Sequence, residues 1–198
     1  MKLNRSFFED NTIKVAKNLL GKFLVVKNGD KILRGVIIET EAYRGEDDLA
    51  CHASKGRTKR TETLYKEAGT VYVYMIYGMY FCLNIVTEMD EYPSAVLIRG
   101  VMSFSDESST KAVNNLWKTI TTLPRRQSGR QVGINGPGRV CRYFGIDKKF
   151  NGSDVETGDL WIEDSGLKIS PKKIEASKRI GIDYAKHCRD YLWRFNLL

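Results

Sequence analysis

A chain of 198 residues with 42% hydrophobic, 28% charged and 11% aromatic residues is long enough for one large domain and too apolar to be mainly disordered. Its formal charge of +8, from 32 basic against 24 acidic residues, points to an anionic partner. Cys51, Cys82, Cys141 and Cys188 form no C-x-x-C pair and the N-terminus carries no apolar run, so reduced thiols in the cytoplasm are expected rather than a disulfide framework, a zinc knuckle or a secretory signal.

In chain order, residues 11–21 read as a short helix with Asn11 as N-cap and Gly21 past its end. Residues 22–27 read as a strand, Asn28-Gly29 as a hairpin turn, and residues 32–41 as the return partner. The most apolar stretch, residues 71–86, is shorter than the roughly 20 residues of a membrane-spanning helix and is interrupted by tyrosines, so no membrane association is expected. It reads instead as two strands, residues 71–77 and 79–87, bent at Gly78; residues 94–102 read as another. Without long helical crossovers between them, antiparallel pairing is expected. Residues 111–123 read as a helix, and Asn135-Gly136-Pro137-Gly138 as a turn opening a helix through Phe144. With no repeat or linker, the expectation is a single domain over residues 1–198, α+β in class: a curved, mainly antiparallel β-sheet with peripheral helices.

The charges fall into blocks. No acid occurs between Glu107 and Asp147, while Lys111, Lys118, Arg125, Arg126, Arg130, Arg139 and Arg142 supply seven positive charges. A second basic stretch runs from Lys168 to Arg194, and a third, Lys55-Gly56-Arg57-Thr58-Lys59-Arg60, follows an acidic cluster of Glu39, Glu41, Glu46, Asp47 and Asp48. Such a surface attracts a nucleic-acid backbone through counterion release, although solubility alone is the plainer explanation.

Period-two alternation puts Glu39, Glu41 and Tyr43 on one strand face, with Ile38, Thr40 and Ala42 on the other. On spacing alone a solvated face is the commoner outcome. A carboxylate crowded by acids and bordered by apolar strand can also have a tuned pKa and activate water. His52 has only His187 for company, too few for a three-histidine zinc site, and Cys51 and His52, as neighbours on an extended chain, point apart. No phosphate-binding loop is present, and Gly136-Pro137-Gly138 lacks the context of a dinucleotide fingerprint, so neither metal nor cofactor is expected. Tyr72, Tyr74, Tyr77 and Tyr80 are core residues by default, yet rings beside a basic surface also stack on unpaired bases.

Glu39-Thr40-Glu41-Ala42-Tyr43, His52 and the run from Gly69 through Asn84, extended by residues 15–22, Arg99, Asn135-Gly136-Pro137-Gly138 and Arg179-Ile180-Gly181-Ile182, resemble the alkyladenine (3-methyladenine) DNA glycosylase family. The resemblance covers most of the chain and is weakest from Val101 to Arg130. It implies a monomeric, monofunctional repair enzyme that flips alkylated or deaminated purines out of double-stranded DNA and hydrolyses the N-glycosidic bond, leaving an abasic site. The implied substrates are 3-methyladenine, 7-methylguanine, hypoxanthine and ethenoadenine, and the implied location is the cytoplasm, at the nucleoid in a bacterium.

By the same resemblance Glu41 is the general base acting on water and Arg99 its partner, with the Ile180 carbonyl as a third contact to the water. Tyr43 and Tyr74 sandwich the flipped base, His52 walls it, and Asn84 crowds out normal guanine. Tyr77 is the wedge that fills the vacated space, within a DNA-contacting set of Met79, Tyr80, Arg57, Arg60, Gly138 and Arg139. The chain departs from the family pattern in a longer, acidic loop over residues 88–93, in Thr58-Lys59-Arg60-Thr61, and in Ala68 where proline is common. The rival reading is a non-catalytic protein that binds damaged nucleic acid through the same tyrosines and basic patches; intact Glu41 and Arg99 argue against it.

Overall fold

The computed structural model describes residues 1–103 and 133–197. The helix expected over residues 111–123, and the basic residues from Lys111 to Arg130, lie outside the described residues. Within them, β1 (Phe23–Asn28), β2 (Lys31–Arg44), β3 (Val71–Ile76), β4 (Tyr80–Val86), β5 (Ser94–Ser103), β6 (Ile134–Asn135), β7 (Leu160–Glu163), β8 (Ile174–Ser177) and β9 (Arg194–Leu197) form one antiparallel sheet. The order is β3-β4-β5-β2-β1-β7, with β6 on β5, β9 on β2 and β8 on β9. Two helices, α1 (Thr12–Leu19) and α2 (Pro137–Phe144), pack on this sheet, as the α+β expectation requires.

Local chemistry accounts for the elements. The Asn11 side chain accepts from the Ile13 amide at 3.1 Å to cap α1. Thr12, Val15, Ala16 and Leu19, at helical spacing, turn inward, and the Thr40 hydroxyl donates to the Ala16 carbonyl at 2.9 Å. The first hairpin closes on the pair Asn28 and Lys31, so its loop is Gly29-Asp30, one residue later than the expected Asn28-Gly29, with Gly29 supplying φ 61°. β2 runs three residues beyond the expected end at Glu41, because β5 pairs with it as far as Arg44 and Ser94.

β2 is the axis of the molecule. One edge is covered by β5; the other is shared between β1 near its start and β9 at Glu39, Thr40 and Glu41. Two compensating bulges interrupt the β2–β5 ladder. Ile38 is the extra residue on β2 and Arg99 the extra residue on β5. The bulge explains how Ile37 and Ala42, five positions apart, both enter the main apolar core. Since the slip lies before Glu39, the alternation of Glu39, Glu41 and Tyr43 survives it.

That core gathers α1 (Val15, Ala16, Leu19), α2 (Val140, Cys141, Phe144) and the inward residues of the sheet. Two smaller clusters lie beside it: one around Cys51, Ala53, Leu64, Tyr65 and Tyr72, the other around Ala50, Ile182, Ala185 and Cys188. Tyr43 packs against both. The end of β2 therefore projects between two loop-built walls, and a cavity lies there.

Candidate active site

The cavity measures about 330 Å³ and is lined by residues from every part of the chain, among them Tyr43, His52, Tyr72, Tyr74, Tyr77, Asn84, Arg99 and Ile180. A volume of this order is typical of small-molecule sites, roughly 300–1,000 Å³. Glu41, whose side chain is fully buried, lies behind this lining, in contact with its residues Tyr43, Arg99 and Ile180. The solvated strand face is thus not what forms. Glu41 Oε1 accepts from the Ile180 amide at 2.9 Å and lies 3.5 Å from Arg99 Nε, while Oε2 accepts from the Tyr43 hydroxyl at 2.8 Å. Burial raises the Glu41 pKa above the ordinary glutamate value, opposed by Arg99, the Ile180 amide and the Tyr43 hydroxyl and assisted by Glu39.

Arg99 is held chiefly by the other carboxylate. Its Nε donates to Glu39 Oε1 at 3.0 Å, and Arg194 Nε donates to the same oxygen at 2.7 Å. Gly100 makes room for this arrangement, since a Cβ there would lie 2.9 Å from Glu39 Cβ. Glu39 therefore holds Arg99 in place, and its charge also acts directly on Glu41. The Ile180 amide engages the carboxylate, a contact separate from the one expected between its carbonyl and a water.

The aromatic wall is built by β3 and the short helical turn His52–Lys55. Tyr72 and Tyr74 lie with ring centroids 5.4 Å apart, and His52 meets Tyr74 edge-on at 4.4 Å. His52 Nδ1 is 3.0 Å from the Tyr72 hydroxyl. Burial, reinforced by Arg60, lowers the His52 pKa to about 4, so the imidazole is neutral near neutral pH. Asn84 is buried opposite Tyr72 and donates from Nδ2 to the Tyr72 carbonyl at 3.1 Å. Cys51 and Cys82 are buried too, and burial pushes their thiols up to about 12 and about 11, which makes poor nucleophiles of both.

Tyr77 stands at the cavity rim on the hairpin between β3 and β4, 86% exposed. The Met79 amide donates to the Ile76 carbonyl at 3.2 Å, and both central residues are left-handed, Tyr77 at φ 51° and Gly78 at φ 67°. These are the signs of a type I′ turn. A tyrosine is an expensive occupant of that position, and the turn holds its ring out into solvent. Met79 beside it is 66% exposed.

The remaining basic candidates have mixed surroundings. Arg139 is exposed on the first turn of α2. Gly138 lets α2 approach β4 closely, since a Cβ there would lie 3.0 Å from Tyr80 Cβ, and Arg142 covers the Tyr80 ring at 5.4 Å. Tyr80 is thus half-buried packing rather than a free ring. Arg60 lies 5.6 Å over the Tyr74 ring. Arg57 pairs with Glu91 at 2.5 Å, so the acidic loop over residues 88–93 reaches a residue of the basic knot.

Sequence reasoning missed the pair Arg179 and Asp48. Both side chains are buried, and the guanidinium meets the carboxylate through Nη1 at 2.5 Å and Nη2 at 2.8 Å. Asp48 stood in the acidic cluster and Arg179 in a matching motif, but nothing in the sequence joins positions so far apart. Among the described residues no group of three His, Cys, Asp or Glu side chains is placed to hold a metal ion. No helix among them is long and apolar enough to cross a membrane.

The residues singled out by the resemblance thus gather as a buried carboxylate behind an aromatic cavity, with the exposed Tyr77 at its rim. A profile of the methylpurine-DNA glycosylase family matches residues 6–198. The chain belongs to that family. It is 46% identical over 195 residues to a Clostridium novyi protein named "Putative 3-methyladenine DNA glycosylase", covering 98% of this chain and 94% of that one. Proteins of the same name from Clostridium perfringens and Bdellovibrio bacteriovorus are 43% and 42% identical, over 98% and 96% of this chain and 95% and 92% of theirs. This DNA glycosylase therefore carries its candidate chemistry at the end of β2.

Proposed function

We propose that the glycosylase excises 3-methyladenine, and with it 7-methylguanine, hypoxanthine and ethenoadenine, by flipping the purine into the cavity and hydrolysing its N-glycosidic bond with a water activated by Glu41. A base within the duplex cannot be attacked at its sugar bond, so extrusion comes first. Tyr77 is the wedge that keeps the vacated space filled. Tyr43, Tyr74 and His52 receive the base, and a neutral imidazole does not repel a cationic purine. Asn84 excludes guanine by crowding its exocyclic amine.

The observation that carries this reading is the environment of Glu41. A carboxylate offers about four acceptor positions, of which the Ile180 amide and the Tyr43 hydroxyl fill two, while Arg99 Nε stands in ion-pair range at 3.5 Å. The positions left over can accept from a water. In the proposed step the water oxygen bonds to C1′ as the C1′–N9 bond breaks, Glu41 takes the water proton, and a cationic base leaves neutral. Hypoxanthine and ethenoadenine, being neutral, require protonation as they leave, so their pH dependence differs.

We assign the whole chain to one catalytic domain acting as a cytoplasmic monomer. A non-catalytic reader of damage has no use for a buried, destabilised carboxylate. Incubation with duplexes each bearing one of the four lesions, followed by alkali cleavage at abasic sites, tests the reading. It expects lesion-dependent strand cleavage; binding without abasic product contradicts it.

A further inference from the structure

The side chain of Arg179 does not line the cavity but packs behind it, against Tyr43. Beyond the paired nitrogens on Asp48, Nη1 donates to the Ala42 carbonyl at 2.8 Å and Nη2 to the Cys188 carbonyl at 3.2 Å. The guanidinium plane lies 4.8 Å from the Tyr43 ring centroid and 5.1 Å from that of Trp193. Nε alone in this head has no acceptor among the described residues. We propose that Arg179 is the positioning residue of this glycosylase: locked by Asp48, it fixes both the ring against which the flipped base stacks and the backbone amide that holds the general base.

Chain geometry supports this. Ala42 lies between Glu41 and Tyr43 on β2, so the bond to its carbonyl pins the peptide joining the two residues. Ile180 follows Arg179 directly, and its amide reaches Glu41 Oε1. Between the end of β8 at Ser177 and the start of β9 at Arg194 the chain has only the short helical turn Lys186–Asp190. With no strand ladder to place the Ile180 amide, the side chain before it serves as the anchor. A buried ion pair by itself says little about function. Here both ends of the contact network stop at groups that touch Glu41 or the cavity. Lysine keeps the charge but loses the planar stack and the fork.

This inference rests on the reading of Glu41 as general base. Glu41 is faced by Glu39 and Tyr43 on β2, Tyr74 on β3, Cys82 on β4, Arg99 on β5, Arg194 on β9, and Arg179 itself. In Arg179→Lys only the last of these is substituted, and none changes sign of charge. Displacement of the Ile180 amide then removes a donor to the ionised carboxylate, so ionisation requires higher pH.

The test is single-turnover excision of ethenoadenine from duplex DNA across pH 5–9 by wild type, Arg179→Lys and Glu41→Gln, with affinity for the same duplex measured in parallel. The expected result for Arg179→Lys is a rate at least about tenfold lower at pH 6, partial recovery toward pH 9, and an unchanged affinity for undamaged duplex. A purely structural pair would lower the active fraction equally at every pH, and that outcome overturns the proposal. Should Arg179→Lys fail to fold, Trp193→Leu loosens the stack while leaving the ion pair, and the same upward move of the acid limb is expected, smaller in size; an unmoved limb overturns the proposal. Wild-type-like excision by Glu41→Gln is the separate result that removes the underlying reading instead.

Discussion

The Tyr43 hydroxyl donates to Glu41 Oε2 across 2.8 Å, two residues along one strand, so the proposed stacking ring and the proposed general base are tied by a hydrogen bond. Tyr43→Phe keeps the ring and removes the donor. Affinity for lesion duplex is expected to stay near wild type. The single-turnover rate is expected to fall about tenfold at pH 6, the scale of a lost hydrogen bond to a charged group, and less at pH 8. An identical loss at both pH values would show that the hydroxyl does not tune Glu41.

Burial sets the sign of a stability effect. Because the folded pKa of Glu41 is raised, its contribution to stability is fully present below the unfolded pKa and is lost as pH rises through the folded value. Gln has no such loss. The melting temperature of Glu41→Gln relative to wild type is therefore expected to climb between pH 4 and pH 8. For a chain of this size each kcal/mol moves the midpoint by about 2–4 °C, so the expected change is a few degrees. A difference that shrinks with rising pH would mean that the native state favours the ionised form.

Tyr77, the proposed wedge, carries backbone strain. Tyr77 at φ 51° sits where a side chain costs roughly 1–2 kcal/mol and glycine does not. Tyr77→Gly is expected to melt above Tyr77→Ala, and both are expected to weaken flipping, read as lower fluorescence of 2-aminopurine placed beside the lesion. Undiminished fluorescence at saturating protein would remove Tyr77 from the wedge role.

Glu91 competes for Arg57 at the surface. Glu91→Gln is expected to free the guanidinium for phosphate, tightening DNA binding at low salt and steepening the slope of log affinity against log salt by about 1. Equal slopes in the two proteins would place Arg57 outside the DNA contact.

Much of this was legible in the sequence because it is local. The hairpin carrying Tyr77, the helix opening at Pro137, and the shared face of Glu39, Glu41 and Tyr43 all follow from short-range periodicity and turn chemistry. Alternation cannot say whether a face meets water or protein, and Glu41 is buried because β5, β9 and the segment after β8 close over it. The acidic block was likewise an artefact of chain order. In space Glu39 goes to Arg99 and Arg194, Asp48 to Arg179, and Glu46 accepts from the Tyr65 hydroxyl at 2.5 Å. Such pairings join residues up to 155 positions apart, as with Glu39 and Arg194, and only the sheet topology decides them.

Glu41 as general base is tested most directly by Glu41→Gln under single-turnover conditions with a 3-methyladenine or ethenoadenine duplex. Loss of at least about a hundredfold in base release, the lower end of general-base catalysis, with lesion affinity retained is the predicted result. Base release at the wild-type rate would contradict it and would leave the buried carboxylate without a chemical role.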